Sequence, residues 1–187
     1  MDRLVAEIEQ LRRAAILRAL YQRYPEPMGE GLILSTLADR QDLALTHEAC
    51  KKALGYLADR QCVRLVPRTS ILLAFLLPDG VDQVEQDPDF PAHERAVTRM
   101  LRLRVLQALS WNMGAAMGES LIRKAIKDDI DLDLTPRSIQ RAMHYLSGRS
   151  LIEIIDRGGP ARILPDGTDY LEGTGAAIVG IAKPFGT

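Results

Sequence analysis

Sliding the chain along itself by 89 positions lays residues 13–66 on residues 102–155 without a gap, and one aligned position in three is identical. Met28-Gly29-Glu30 falls on Met117-Gly118-Glu119, and Leu17, Ala19 and Leu20 fall on Leu106, Ala108 and Leu109. The identities continue through Leu32, Ile33, Asp39, Leu43, Leu45, Thr46, Ala53, Tyr56, Leu57 and Arg60, whose counterparts are Leu121, Ile122, Asp128, Leu132, Leu134, Thr135, Ala142, Tyr145, Leu146 and Arg149. After a shortening of two residues, Pro78-Asp79-Gly80 meets Pro165-Asp166-Gly167. A self-match over this length constrains the fold before any local pattern does, because both copies must build the same elements. The chain therefore reads as a tandem duplication. Acidic residues and two prolines break the periodicity at Gln86-Asp87-Pro88-Asp89-Phe90-Pro91. The expected division is a first domain over 1–88, a second over 89–172 and a C-terminal tail over 173–187.

Composition narrows the function classes. The 187 residues carry 24 Lys and Arg against 25 Asp and Glu, for a formal net charge of -1. A globally basic nucleic-acid coat protein or a polybasic membrane binder is excluded, so any nucleic-acid surface must come from local segregation of charge. The halves differ: residues 1–88 hold 11 basic and 13 acidic side chains, net -2, and residues 89–187 hold 13 and 12, net +1. Apolar residues make up 47% of the chain and charged residues 26%, as in a folded globular protein. No apolar run approaches the roughly 18 residues of a membrane span, so no membrane association is expected. The opening Met-Asp-Arg-Leu-Val-Ala-Glu has no apolar core behind a basic start, so no signal peptide is expected. Cys50 and Cys62 form no Cys-x-x-Cys pair, which argues against metal clusters and disulfide scaffolds and for reduced thiols in a cytoplasm.

Periodicity predicts the elements of each repeat. Leu4, Ile8, Leu11, Ala15, Leu17 and Leu20 recur at helical spacing from Leu4 to Tyr24, and the equivalent helix runs from His93 to Met113. A second helix of about three turns is expected from Gly29 to Arg40 and from Gly118 to Asp129. Leu43-x-Leu45 and Leu132-x-Leu134 suit a minor strand. Thr46 and Thr135 stand at good N-cap positions, with Pro136 in the first helical slot, and open a third helix that ends near Arg60 or Arg149. Two strand-like runs separated by turn residues then close on Leu-Pro-Asp-Gly. Helix, helix, small strand, helix and hairpin is the winged helix-turn-helix order, present twice. The expected fold class is α+β, mainly helical, with two tandem winged helix-turn-helix domains related by internal duplication.

Several of these runs have a family likeness. Arg13-x-x-Ile16-Leu17-x-x-Leu20, Leu54-x-Tyr56-Leu57 with Val63 six residues on, and Gly167-x-x-x-Leu171-x-Gly173 with Gly180-Ile181-x-Lys183-Pro184 resemble the small winged-helix proteins of Mu-like prophages. Those proteins are single units, so the chain looks like a tandem duplicate of one. The resemblance implies a phage-related module associated with DNA.

The third helix of the second repeat has the chemistry of a reader. Ile139, Ala142, Met143 and Leu146 form an apolar stripe, opposite which lie Arg137, Arg141, His144 and Gly148, with Ser138 and Gln140 alongside. Arginine can fork to guanine O6 and N7, and glutamine can bridge adenine N6 and N7. The alternative is a solvated helix face. In the first repeat the outward stripe is Glu48, Lys52, Gly55 and Asp59, with Lys51 beside it. Its acids oppose phosphate, leaving Lys51 and Lys52 as phosphate contacts at most. The second hairpin tip, Arg157-Gly-Gly-Pro-Ala-Arg162, suits an arm along a minor groove or simply a tight turn. The first offers only Arg68. Arg99, Arg102, Arg104, Arg123, Lys124 and Lys127 enlarge the basic set of the second repeat. The acidic run after them, Asp128 to Asp133, lacks the glycine and closing glutamate of a calcium loop.

Enzymatic motifs are missing: there is no Gly-x-x-x-x-Gly-Lys loop, Gly-x-Ser-x-Gly elbow or His-Glu-x-x-His pair. Cys50 lies on the buried stripe of its helix, and Trp111 is expected to anchor helices together. No cofactor and no metal are expected. The favoured expectation is a cytoplasmic double-stranded DNA-binding protein in phage transcription control or DNA handling, and the alternative is a tandem winged-helix adaptor that binds protein. The apolar run from Ile71 to Leu77, expected at a sheet edge, and the seam of Leu4, Ile8 and Leu11 predict pairing of two chains through the first repeat.

Overall fold

The computed structural model describes residues 2–69, 71–112, 114–127, 134–156 and 159–184. The fold is α+β. Eight α-helices and two small antiparallel sheets are present among these residues. The chain divides into two compact units, Met1–Asp87 and Pro88–Thr187.

Unit 1 runs α1 (Asp2–Arg23), β1 (Met28–Gly29), α2 (Glu30–Thr36), a 3-10 turn (Gln41–Leu43), α3 (His47–Asp59), β2 (Val63–Arg68), β3 (Ile71–Leu76) and α4 (Pro78–Gln86). Unit 2 runs α5 (Ala92–Trp111), α6 (Glu119–Ala125), α7 (Pro136–Gly148), β4 (Ile152–Ile154), β5 (Ala161–Ile163) and α8 (Pro165–Leu171). Positions that match at the 89-residue offset are core positions in both units: Leu17, Leu20, Ile33, Ala53 and Leu57 are buried, and so are Leu106, Leu109, Ile122, Ala142 and Leu146.

The third helix of each unit starts and stops by the same chemistry. The Thr46 hydroxyl accepts the amide of Ala49, and the Thr135 hydroxyl accepts that of Ser138, so each satisfies one orphan N–H of the first turn. Pro136 takes the first helical slot of α7. At the other end Gln61 and Ser150 adopt left-handed backbone, φ 56 and 60. The next amides, of Cys62 and Leu151, bond back to the carbonyls of Leu57 and Leu146. That is a Schellman stop built without glycine.

Leu-Pro-Asp-Gly opens a further helix in each unit, α4 and α8, with proline at its start. The expected pattern ended there with a strand, so both helices were missed. Glycine is required at this point by close packing. A Cβ on Gly80 would lie 2.3 Å from the Cys62 carbonyl oxygen, and one on Gly167 would lie 2.3 Å from that of Leu151. The residue pair marks where the helix crosses the base of the hairpin.

Several expectations are corrected. The third strand of unit 1 is Met28–Gly29, paired with β3 through Met28↔Ala74, and residues around Leu43 form a 3-10 turn instead of a strand. Unit 2 keeps only a single bridge there, Met117 with Ala161. Leu132 lies outside the described residues. The second helices end after seven residues, at Thr36 and Ala125, and Leu32 and Leu121 on them are exposed.

The apolar strand from Ile71 is not at an edge. The sheet order β1-β3-β2 puts it in the middle. Ala74 and Leu76 are buried, and Phe75 is covered by its register partner Arg64, whose guanidinium lies 5.0 Å from the ring centroid. Only Ile71 stands well exposed, so this strand offers no broad face for a second chain. Leu4 and Leu11 of α1 are exposed. Trp111 is 66% exposed, not buried between helices as expected.

The expected tail also changes status. Residues 175–184 fold back onto unit 2, where Ile181 is buried and the Tyr170 hydroxyl donates to the Ala182 carbonyl at 3.0 Å.

Candidate nucleic-acid interface

Helix α7 buries Ile139, Ala142, Met143, Tyr145 and Leu146. With that stripe buried, Arg137 and His144 are exposed and Ser138, Gln140 and Arg141 are half-exposed. The four long or ionisable side chains Arg137, Gln140, Arg141 and His144 thus share the outer side of one two-capped helix. Ser138 is occupied locally: its amide donates to the Thr135 hydroxyl and its hydroxyl donates to the Thr135 carbonyl at 2.8 Å. It serves the cap.

Beside the helix stands the hairpin β4–β5. Its turn closes through Ile155 N–H to the Pro160 carbonyl and Gly159 N–H to the Asp156 carbonyl. Arg157 lies outside the described residues. Arg162 pairs across the ladder with Glu153, its Nε donating to Glu153 Oε2 at 2.7 Å. Both are surface groups, so the pair is worth well under about 1 kcal/mol and leaves Arg162 able to exchange partners with a phosphate.

The wider basic set divides in two. Arg123, Lys124 and Lys127 are exposed on and just after α6. Arg102 is 2% exposed, its guanidinium 3.7 Å above the Tyr145 ring, and its Nη1 donates to the Gly180 carbonyl at 2.8 Å. Arg99 and Arg104 are half-buried, and Arg104 Nη1 donates to Gln107. Of these three, Arg102 is the one bound into the core of the unit.

Unit 1 lacks an equivalent face. Lys51 Nζ lies 3.9 Å from Glu30 and Lys52 Nζ 3.5 Å from Glu9, so acids of α1 and α2 stand beside both lysines. His47 Nδ1 lies 2.9 Å from Glu30 as well. Glu48 and Asp59 are exposed on the same helix, and Arg68 is exposed at the end of β2. A phosphate approaching α3 meets these carboxylates as well as the two lysines. Arg12 is spent holding the loop after the 3-10 turn, donating to the carbonyls of Leu43 and Ala44.

The thiols are core groups. Burial and the nearby Glu30 push the Cys50 thiol from 9.0 up to about 11, and burial and Asp79 raise that of Cys62. Neither presents a thiolate near neutral pH. Among the described residues no group of three His, Cys, Asp or Glu is placed to hold a metal, and no helix is long and apolar enough to cross a membrane.

One arrangement was missed from the sequence. Arg13 stacks on Tyr56 at 4.1 Å with Arg60 at 5.5 Å, and Arg102 and Arg149 flank Tyr145 at 3.7 and 5.5 Å. The three pairs are identities at the 89-residue offset. Polar identities among mainly apolar ones were the available signal.

No protein-family model matches the chain, and no curated protein or solved structure is significantly similar to it.

Proposed function

We propose that each unit is a winged helix-turn-helix domain, that the two arose by duplication, and that the chain binds double-stranded DNA chiefly through α7 and the β4–β5 hairpin. One observation carries this reading: α7 is capped at both ends, buries one stripe and turns Arg137, Gln140, Arg141 and His144 to the other side. A helix so mounted can lie in a major groove with its N-terminal donors on base edges and phosphates. Arg123, Lys124 and Lys127 add positive charge in the same unit, and Arg162 adds a donor at the hairpin. Unit 1, with acids beside Lys51 and Lys52, contributes weakly. The role that fits is a phage-type transcription regulator or DNA-handling factor acting in the cytoplasm. A protein-binding adaptor is the second reading, favoured by the ion-paired lysines of α3.

Fluorescence anisotropy with a labelled random-sequence duplex across a salt series tests it. Replacing Arg137 and Arg141 with Ala weakens binding and lowers the salt slope by roughly one for each phosphate no longer neutralised. Replacing Lys51 and Lys52 changes it less. Absence of binding at low salt refutes the DNA reading and leaves the adaptor.

A further inference from the structure

The Arg–Tyr–Arg stack has different surroundings in the two units. In unit 2 the segment 175–184 lies over it: Arg102 donates to the Gly180 carbonyl at 2.8 Å, the Ala182 amide donates to the Arg99 carbonyl at 3.2 Å, and Ile181 is 4% exposed. In unit 1 an open cleft of about 410 Å³ occupies the corresponding place, lined by Arg13, Ala14, Tyr56, Arg60, Cys62 and Val84 among others. The correspondence holds position by position. Gln10, Arg13, Tyr56, Arg60 and Cys62 stand at the 89-residue offset from Arg99, Arg102, Tyr145, Arg149 and Leu151. Gln83 stands at the shortened 87-residue offset from Tyr170, whose hydroxyl donates to Ala182 in unit 2.

Two differences leave the cleft deeper and more receptive. Ala14 stands where unit 2 has Leu103. The Arg13 guanidinium stacks on Tyr56 but makes no hydrogen bond or ion pair among the described residues, whereas Arg102 has the Gly180 carbonyl. The charge is also one-sided: Arg13, Arg18 and Arg60 line the cleft against one acid, Asp87, which Arg18 engages at 2.9 Å.

We infer that the unit 1 cleft is a docking groove for an extended peptide segment of a partner protein, with an aliphatic residue between small ones and an acidic residue on its flank. The aliphatic side chain takes the place Ile181 takes in unit 2, a backbone carbonyl accepts from Arg13, and the flanking carboxylate faces Arg60. An extended segment suits the site because main-chain groups supply the hydrogen bonds while one pocket supplies selection. This inference stands apart from DNA binding, which uses α7.

The test uses the full chain and a synthetic peptide of residues 176–184, capped at both ends, followed by backbone amide shifts. Saturable shifts confined to residues 10–18 of α1 and to the C-terminal ends of α3 and α4 around the cleft are expected in the low-millimolar range or tighter. The Ile181→Asp peptide is expected to bind at least about tenfold more weakly, and the Lys183→Glu peptide several-fold more tightly at low salt. Arg13→Gln in the protein, with an unchanged circular dichroism spectrum, reduces binding. Shifts confined to unit 2, equal binding by the Ile181→Asp peptide, or no tightening by Lys183→Glu overturns the proposal. So does a doubled mass in light scattering without peptide, accompanied by dilution-dependent shifts at the cleft, because a second copy then fills it.

Discussion

Tyr56 and Tyr145 occupy matching places on the third helices of the two units and are flanked by matching arginines, yet Tyr56 is 42% exposed and Tyr145 is fully buried. The difference comes from outside the repeated stretch. Residues 175–184 close over the stack in unit 2, and unit 1 has α4 running on to Gln86 before the chain leaves for unit 2. One local packing device thus yields an internal buttress in one unit and an open cleft in the other. The outer faces of α3 and α7 diverge in the same way: an identical cap and stop carry acids beside lysines in one and outward-facing long donors in the other. Positions that match along the chain are built alike, and the residues between core positions decide what each element contacts.

The strongest way to break this comparison is to disturb what the units share. Gly80→Ala and Gly167→Ala each push a Cβ into a backbone carbonyl, and each is expected to cost about 2–4 kcal/mol in urea unfolding. A loss in only one unit would mean that the hairpin base is not the same structure in both. The next effect separates the units. Arg102→Leu strands the Gly180 carbonyl and removes a buried cation–π contact, for an expected loss of about 2–3 kcal/mol. Arg13→Leu, at the open stack, is expected to cost under about 1 kcal/mol by the same measurement. Equal losses would show that the closing segment adds nothing to the stack.

The sequence made the fold's framework legible where apolar period and capping agreed. Thr46 and Thr135 placed α3 and α7 to within a residue, and the apolar stripe of α7 was read correctly apart from Tyr145. It was silent where tertiary packing decided. Leu43-x-Leu45 alternates like a strand, but Leu43 is drawn into the core from a 3-10 turn while Met28–Gly29 takes the pairing site on β3. Pro-Asp-Gly was read as the close of a strand, because the packing that its glycine serves at the start of a helix is not local to the chain. Arg102 looked like surface charge because nothing local announces a guanidinium that stacks on a ring 43 residues away. Arg137, Gln140, Arg141 and His144 were legible as the polar side of α7, whereas the local bonds of Ser138 were not, because a hydroxyl at that position bonds back into its own cap.

The smallest expected effect is shared again. Gln61→Gly and Ser150→Gly relieve a left-handed residue at each helix stop and are each expected to raise stability by about 0.5–1 kcal/mol in urea unfolding. Destabilisation at either position would mean that its side chain does more than tolerate the turn.

The account rests most on the claim that α7, and not α3, meets DNA. Mapping backbone amide shifts on titration with a random-sequence duplex at low salt tests it directly. Perturbation concentrated on residues 135–149 and the β4–β5 hairpin, with residues 46–60 little changed, is the predicted result. Equal perturbation of both helices, or none in α7, contradicts it.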